Sequence, residues 1–304
     1  MLATDVARTM TLVMAGGVLL TACEVNFNAE AYREREEKRF TVKGAPEVSL
    51  DTFDGGIEVR GWDRDEVLVE IEKQGASAED VKQIVVTARQ EGNRIDVEVR
   101  GPQTTQLTVG VHISRHARII ASVPKSSQLE LRTADGAVSV ERLAGRVDVR
   151  SGDGSVRAYQ VDGELLVDTS DGSVKLDDVS GRVDVRTGDG SIVIGGTLQH
   201  VLARSGDGSI TLKARDGSGV AESWDVSTGD GSISLYLPAK IDADLDCETG
   251  DGRVRTDEGL GFVAAEGGST SEDGRVRALR GKLGNGGRLI HVRTNDGSIS
   301  VRKW

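Results

Sequence analysis

The chain has 304 residues, a formal charge of −11 and an aromatic content of 3%. An acidic surface without basic clusters repels nucleic acid, and so few rings leave little for a sugar-binding platform. The two cysteines, Cys23 and Cys247, are too few for a disulfide framework.

In chain order, residues 1–23 read as an export signal with a lipid attachment site. Arg8 precedes an apolar run from Met10 to Leu20 that is too short to span a bilayer, and Leu20-Thr21-Ala22-Cys23 resembles the bacterial lipobox. That resemblance implies a diacylglycerol on Cys23 and a membrane partner. Glu24, where an inner-membrane retention signal has Asp, implies the outer membrane in a cell with two. An ordinary cleaved signal with a chance cysteine is the alternative. Residues 24–38 are charge-dense, with Glu34-Arg35-Glu36-Glu37-Lys38 together, and are expected to form a polar tether. With Cys23 lipidated, Cys247 has no disulfide partner and is expected to be a small buried hydrophobe beside Leu245.

Residues 39–126 are expected to form a β-rich cap. Val48, Leu50, Asp54-Gly55, Ile57 and Val59 show once the frame that recurs later. Further strands are expected at Glu66–Lys73, Ile84–Arg89, Arg94–Arg100, Leu107–Ile113 and Arg118–Val123. Ser77 followed three residues later by Asp80 resembles a capping box and predicts a short helix before Gln83.

Residues 127–304 are a repeat array. Asp-Gly corners fall at Asp135-Gly136, Asp153-Gly154, Asp171-Gly172, Asp189-Gly190, Asp207-Gly208, Asp230-Gly231, Asp251-Gly252, Asp273-Gly274 and Asp296-Gly297. Successive Asp residues lie 18 residues apart four times, then 23, 21, 22 and 23. A period this regular marks a repeat architecture. Around Asp153, Val147 and Val149 precede the corner and Val156 and Ala158 follow it, with polar residues between, and the other copies match. Alternation of period two gives each strand one dry face. Leu143 with Gly145, Val161 with Gly163 and Val179 with Gly181 add an inward residue and a second corner. Strands this short need like neighbours to bury their dry faces, so the prediction is an all-β chain whose copies stack as coils of a parallel β-solenoid. An antiparallel meander of hairpins on the Asp-Gly turns is the competing fold.

The corners have a local explanation, since glycine tolerates positive φ and Asp and Ser hydrogen-bond turn backbone. Stacked about 4.8 Å apart, the Asp carboxylates repel by only ~1 kcal/mol in water. They need no metal; the alternative, calcium capture, lacks the nonapeptide signature of calcium-binding β-rolls. Arg132, Arg150, Arg186, Arg204 and Arg293 share the place three before the corner Asp, with Asp168 and Glu248 there in other copies. This is a solvated mixed-charge face or a stripe for an anionic polymer. His112 and His116 lie on expected strand and need not converge; His200 and His291 stand alone, and no corner serine has a histidine in frame. No cofactor is implied. Copies eight and nine carry glycine-rich stretches, with Gly267 and Ser269 in inward places. Ile299-Ser300-Val301, followed by Arg302 and Lys303, is expected to be an uncovered end strand whose charges discourage edge pairing.

Phe40-Thr41-Val42 with Val48, Leu50, Gly55, Ile57, Val59 and Trp62-Asp63, followed by serial Thr-Gly-Asp-Gly-Ser-Ile units, resembles the bacterial putative-adhesin family of β-strand-repeat proteins, a domain of unknown function. The likeness covers roughly Arg39 to Trp304. It implies a β-helix-like fold at the cell envelope and a role in adhesion, and supplies no catalytic residues. The function expected is a lipid-anchored envelope protein that displays a rigid repeat surface to a ligand or envelope component, without catalysis. The rival is a polysaccharide lyase or hydrolase, which rests on fold analogy alone.

Overall fold

Val and Ile at alternate positions favour extended chain and give each strand a dry side. The computed structural model describes residues 32–102, 115–264 and 275–304. Cys23 and the segment expected to be an export signal, the strand expected at Leu107–Ile113 with His112, and Gly267, Ser269 and Asp273 lie outside the described residues. The N-terminal part contains β1 (Tyr32–Thr41), β2 (Glu47–Thr52), β3 (Ile57–Trp62), β4 (Glu66–Gly75), the helix α1 (Ala78–Lys82), β5 (Val85–Glu91), β6 (Arg94–Arg100) and β7 (His116–Pro124). The repeats give β8 (Gln128–Thr133), β9 (Val138–Ser151), β10 (Val156–Thr169), β11 (Val174–Thr187), β12 (Ile192–Ser205), β13 (Ile210–Ala214) and β14 (Trp224–Thr228). Then come β15 (Ile233–Leu237), β16 (Ala243–Thr249), β17 (Val254–Thr256), β18 (Val263–Ala264), β19 (Ala278–Leu283), β20 (Leu289–Thr294) and β21 (Ile299–Lys303).

Consecutive repeats pair in parallel and in register: Leu165 lies between Val147 and Val183, and Val156 between Val138 and Val174. All of these side chains are buried and belong to one continuous core. The fold is therefore a solenoid and not a meander. Rung-to-rung hydrogen bonds run through the corner serines, with Val138 N–H donating to Ser155 O at 2.9 Å, Val156 to Ser173 at 3.0 Å and Val174 to Ser191 at 2.9 Å.

The corner glycines answer to stacking more than to φ. Gly154, Gly172, Gly190 and Gly208 do not have positive φ. A Cβ on each would instead fall 2.0–2.2 Å from the carbonyl oxygen of the corner glycine one coil below, Gly136, Gly154, Gly172 and Gly190. Positive φ occurs at the Asp54-Gly55 corner, where Gly55 is at 134°, and at the second corner, where Gly163 (124°) and Gly181 (104°) follow three residues after left-handed Gln160 and Asp178; Arg142 is left-handed three before Gly145. Leu143, Val161 and Val179 fill the core there, as expected.

Coil order departs from chain order at both ends. The coil of β2 and β3 lies between that of β6 and β7 and that of β8 and the start of β9. Residues 39–126 thus supply two coils and then cover them, with β5 antiparallel on β6, and β4 and β1 antiparallel beyond β7. α1 forms as expected, Ser77 Oγ accepting from Asp80 N–H at 3.2 Å. The tether expected over 24–38 is shorter than read, because Tyr32–Lys38 are strand, paired residue for residue with β4. Alternating Arg and Glu look like a solvated tether in sequence, but β4 presents Glu70, Glu72 and Lys73 to them; Arg35 meets Glu70 at 2.6 Å and Lys73 meets Glu36 at 3.0 Å.

At the other end, the coil of β20 and β21 lies between that of β14 and β15 and that of β16 and β17. Ile299–Val301 is therefore an interior rung, paired on both sides, and not an uncovered end. The copy around Asp273 forms no parallel rung among the described residues; β19 runs antiparallel along β16 and carries β18 on its far edge. Cys247 is fully buried as expected, and burial, aided by Asp246, pushes its thiol up beyond the normal range.

Candidate binding face

Each corner Asp sits at a bend between two outer faces. Asp135, Asp153, Asp171, Asp189, Asp207, Asp230, Asp251 and Asp296 are all exposed. Their glycine partners are buried or half-buried in the stack, Gly252 being the half-buried one. Asp135 Oδ1 lies over Gly152 of the next coil, where a Cβ would come within 3.2 Å of it, and Asp171 stands likewise over Gly188. Among the described residues no three carboxylate, histidine or cysteine side chains gather as a metal site.

Beneath the Asp line runs a column of buried hydroxyls that bridge successive coils. Thr187 Oγ1 accepts from Gly190 N–H at 3.2 Å and donates to Gly172 O of the coil below at 3.1 Å. Ser205 does the same with Gly208 (2.9 Å) and Gly190 (3.0 Å), and Thr294 with Gly297 (3.2 Å) and Gly231 (2.8 Å). The signal was present as Thr or Ser two residues before every corner Asp from Asp135 to Asp251.

The first face, formed by residues before the corner, neutralises itself. Arg132 binds Glu130, Arg150 lies 3.5 Å from Asp148, Arg204 3.1 Å from Asp225, and Arg146 2.8 Å from Glu164. Arg186 and Arg293 share the column with no carboxylate within ion-pair distance among the described residues, though Asp168 and Glu248 stand opposite them on neighbouring rungs. His200 does not stand alone. Its Nε2 is 3.1 Å from Asp184 and its Nδ1 3.5 Å from Glu222, while Arg182 reaches Glu222 at 2.8 Å. Glu222 comes from the segment between β13 and β14, where the repeat first lengthens beyond 18 residues. That segment lies back on the coils through Gly219 N–H to Leu198 O (2.9 Å) and Ala221 N–H to Gln199 O (3.0 Å).

The second face, formed by residues after the corner, has the opposite balance. Its outward positions form two columns, Ser139, Arg157, Lys175, Val193, Thr211, Ser234 and Ser300 in register in one, and Glu141, Tyr159, Asp177, Gly195, Lys213, Tyr236 and Arg302 in the other, where a register shift after Leu176 interrupts the pairing between Asp177 and Gly195. Its carboxylates are occupied: Glu141 by Arg60 at 3.3 Å, and Asp177 by Arg215 at 3.1 Å. Arg157, Lys175, Lys213 and Arg302 have no carboxylate within ion-pair distance among the described residues. Tyr159 is 47% and Trp304 56% exposed on this side of the molecule. Trp304 meets Tyr236 edge to face at 6.1 Å, and Lys213 Nζ lies 6.0 and 5.7 Å from the two ring centres. A shallow depression of about 250 Å³ opens among Ser139, Glu141, Arg157, Tyr159, Lys175 and Asp177.

A larger cavity of about 540 Å³ lies among Arg33, Arg35, Glu58, Glu72, Lys73 and Arg118. There Arg35 pairs with Glu70, Lys73 with Glu36, and Arg118 with Glu58. Of the cations named there only Arg33 has no carboxylate within ion-pair distance among the described residues, and charges already matched within the protein have little left for a ligand. The second face is the better candidate because its cations are unmatched.

An all-β parallel solenoid of stacked coils with charged and aromatic side chains on its outer faces is a repeat protein. The sequence matches the family model described as Toastrack DUF4097 over residues 46–302, and the chain belongs to that family. The resemblance to a putative-adhesin-like domain of unknown function therefore holds. No curated protein matches the chain. Among solved structures it is similar to a putative lipid binding protein from Parabacteroides distasonis ATCC 8503, at 15% identity and TM-score 0.47 over 89% of this chain and 96% of that one. It is also similar to a putative adhesin from Bacteroides fragilis NCTC 9343, at 11% identity and TM-score 0.35 over 89% and 97%. A putative cell adhesion protein from Clostridium sporogenes ATCC 15579 gives 13% identity and TM-score 0.31 over 90% and 100%.

Proposed function

We propose that the protein is a lipid-anchored cell-envelope scaffold that binds a surface ligand or envelope component, in the manner of an adhesin and without catalysis. The observation that carries this reading is the second outer face, where unpaired cations and exposed rings stand on a continuous stack of parallel coils. Such a stack holds its side chains at fixed spacing, so little ordering entropy is lost when an extended ligand settles on it. The Leu20–Cys23 lipobox supports attachment through Cys23 to a membrane, the outer one where there are two. The short segment between Cys23 and β1 supplies the link.

Cells with and without the gene are compared for attachment to abiotic and biological surfaces, and palmitate labelling of the parent is compared with that of Cys23→Ala. Gene-dependent attachment and loss of label in Cys23→Ala are expected. Equal attachment on every surface, with no ligand retained by the purified protein, would overturn the scaffold reading. Release of unsaturated sugars from acidic polysaccharides would make the protein a lyase instead.

A further inference from the structure

We propose that the second outer face binds an acidic polysaccharide, a chain of pyranose rings bearing carboxylate or sulfate groups, laid along the solenoid axis across successive coils. This rests on the scaffold reading and names its ligand class.

Arg157 and Lys175 occupy neighbouring coils in register. Lys213 lies two coils beyond Lys175, and Arg302 two coils beyond Lys213. Coils repeat at about 4.8 Å, so these cations recur at about 5–10 Å along one direction. A small monoanion would engage only one of them, whereas a polymer charged on successive rings engages all at once. The carboxylates of the face, Glu141 and Asp177, are already held by Arg60 and Arg215 and do not repel it.

The chain has few rings, yet Tyr159, Tyr236 and Trp304 gather on this one face and add what charge alone cannot. Tyr159 and Tyr236 stand in one column four coils apart, about 19 Å at that spacing. A pyranose presents a face of C–H bonds that packs on an aromatic ring, while the phenol hydroxyl reaches the polar edge. Nucleic acid fits less well. Duplex DNA carries one charge per about 1.7 Å, a denser charge than a polymer ionised once per ring, and so meets more of the repulsion of a protein whose formal charge is −11. Rings four coils apart also cannot stack successive bases of a single strand.

The full-length protein, immobilised in detergent, is exposed to alginate, hyaluronan and dextran sulfate, with neutral dextran, duplex DNA and anionic phospholipid vesicles as comparators. At least one acidic polysaccharide should bind, weakening as salt rises, and neutral dextran should not. The double substitutions R157A/K175A and K213A/R302A should each lower affinity tenfold or more. Tyr159→Ala and Tyr236→Ala should lower it several-fold, and R132A/R204A on the first face should leave it unchanged. Circular dichroism and thermal melting confirm that each variant is folded. Binding to none of the three polymers, binding indifferent to these substitutions, or equal binding of DNA or vesicles with no effect of the tyrosine changes would overturn the proposal. Gene-dependent attachment that persists in any of those cases would leave the scaffold reading standing and show only the ligand class to be wrong.

Discussion

The carbonyl oxygen of Gly136 occupies the space that a side chain on Gly154 would need, 2.0 Å from where its Cβ would sit. The same contact recurs up the stack, so an added methyl cannot relax into a gap and must push two coils of backbone apart. Gly190→Ala, whose Cβ would fall 2.1 Å from Gly172 O, should lose about 3 kcal/mol of stability in urea unfolding. Gly92→Ala, at a left-handed corner (φ +61°) with nothing within 4 Å, should lose only about 1 kcal/mol. Equal losses would mean that the coils do not touch at the corner glycines.

Beside that column, Thr187 links two coils through one buried hydroxyl. Valine keeps the shape but strands the Gly190 N–H and Gly172 carbonyl, for a loss of about 1–3 kcal/mol in the same assay. Thr187→Ser keeps both hydrogen bonds and should lose less than about 1 kcal/mol. A serine variant as unstable as the valine one would assign the effect to packing.

Asp51 faces Glu98 and Arg132 on the adjacent rungs. Partial burial, reinforced by Glu98, raises its carboxyl above the usual range despite Arg132. A raised carboxyl means that the folded state binds the proton more readily, so the ionised group weakens the fold at neutral pH and the penalty is relieved as pH falls through the folded value. Asp51→Asn should therefore melt slightly higher than the parent at pH 7, with the difference vanishing in acid below both the folded and unfolded values. A gap that widens in acid would reverse the sign.

Cys247 should be inert while the protein is folded. Burial removes both access and the thiolate. A thiol-specific reagent should label it only at the rate of unfolding and immediately in denaturant; fast labelling of the native protein would show the core open at β16.

Arg215 ties the segment between β13 and β14 to Asp177 at 3.1 Å and Asp178 at 2.5 Å. Half-exposed pairs of this kind are worth about 0–1 kcal/mol, so Arg215→Ala should barely move the melting temperature. Local opening should change more, with the amides of Gly219 and Ala221 exchanging hydrogen faster. Unchanged exchange there would show that the segment is held by its backbone bonds alone.

Much of the fold was legible in single residues. Val147, Val149, Val156 and Ala158 announce a dry face by alternation, and Ser77 with Asp80 announces a helix turn, because both depend on local geometry that sequence spacing encodes. The candidate face was not legible. The outward columns through Arg157 and Lys213 can be read across the copies, but whether their charges are free depends on partners such as Arg60 and Arg215, which reach Glu141 and Asp177 only in three dimensions. His200 looked solitary for the same reason, since Glu222 reaches it only when the segment before β14 folds back.

Sequence alone determined what a coil is: where it bends, which side is dry, and that like positions pile into a shared core. Only the tertiary structure decided which coil sits on which, placing β2 and β3 after β6 and β7 and tucking β20 and β21 inside β16 and β17. The physical reason is that every coil presents nearly the same apolar column and the same glycine corner to its neighbour, so the repeat fits many stacking orders equally well. Lateral hydrogen bonding and the antiparallel edge strands select one of them.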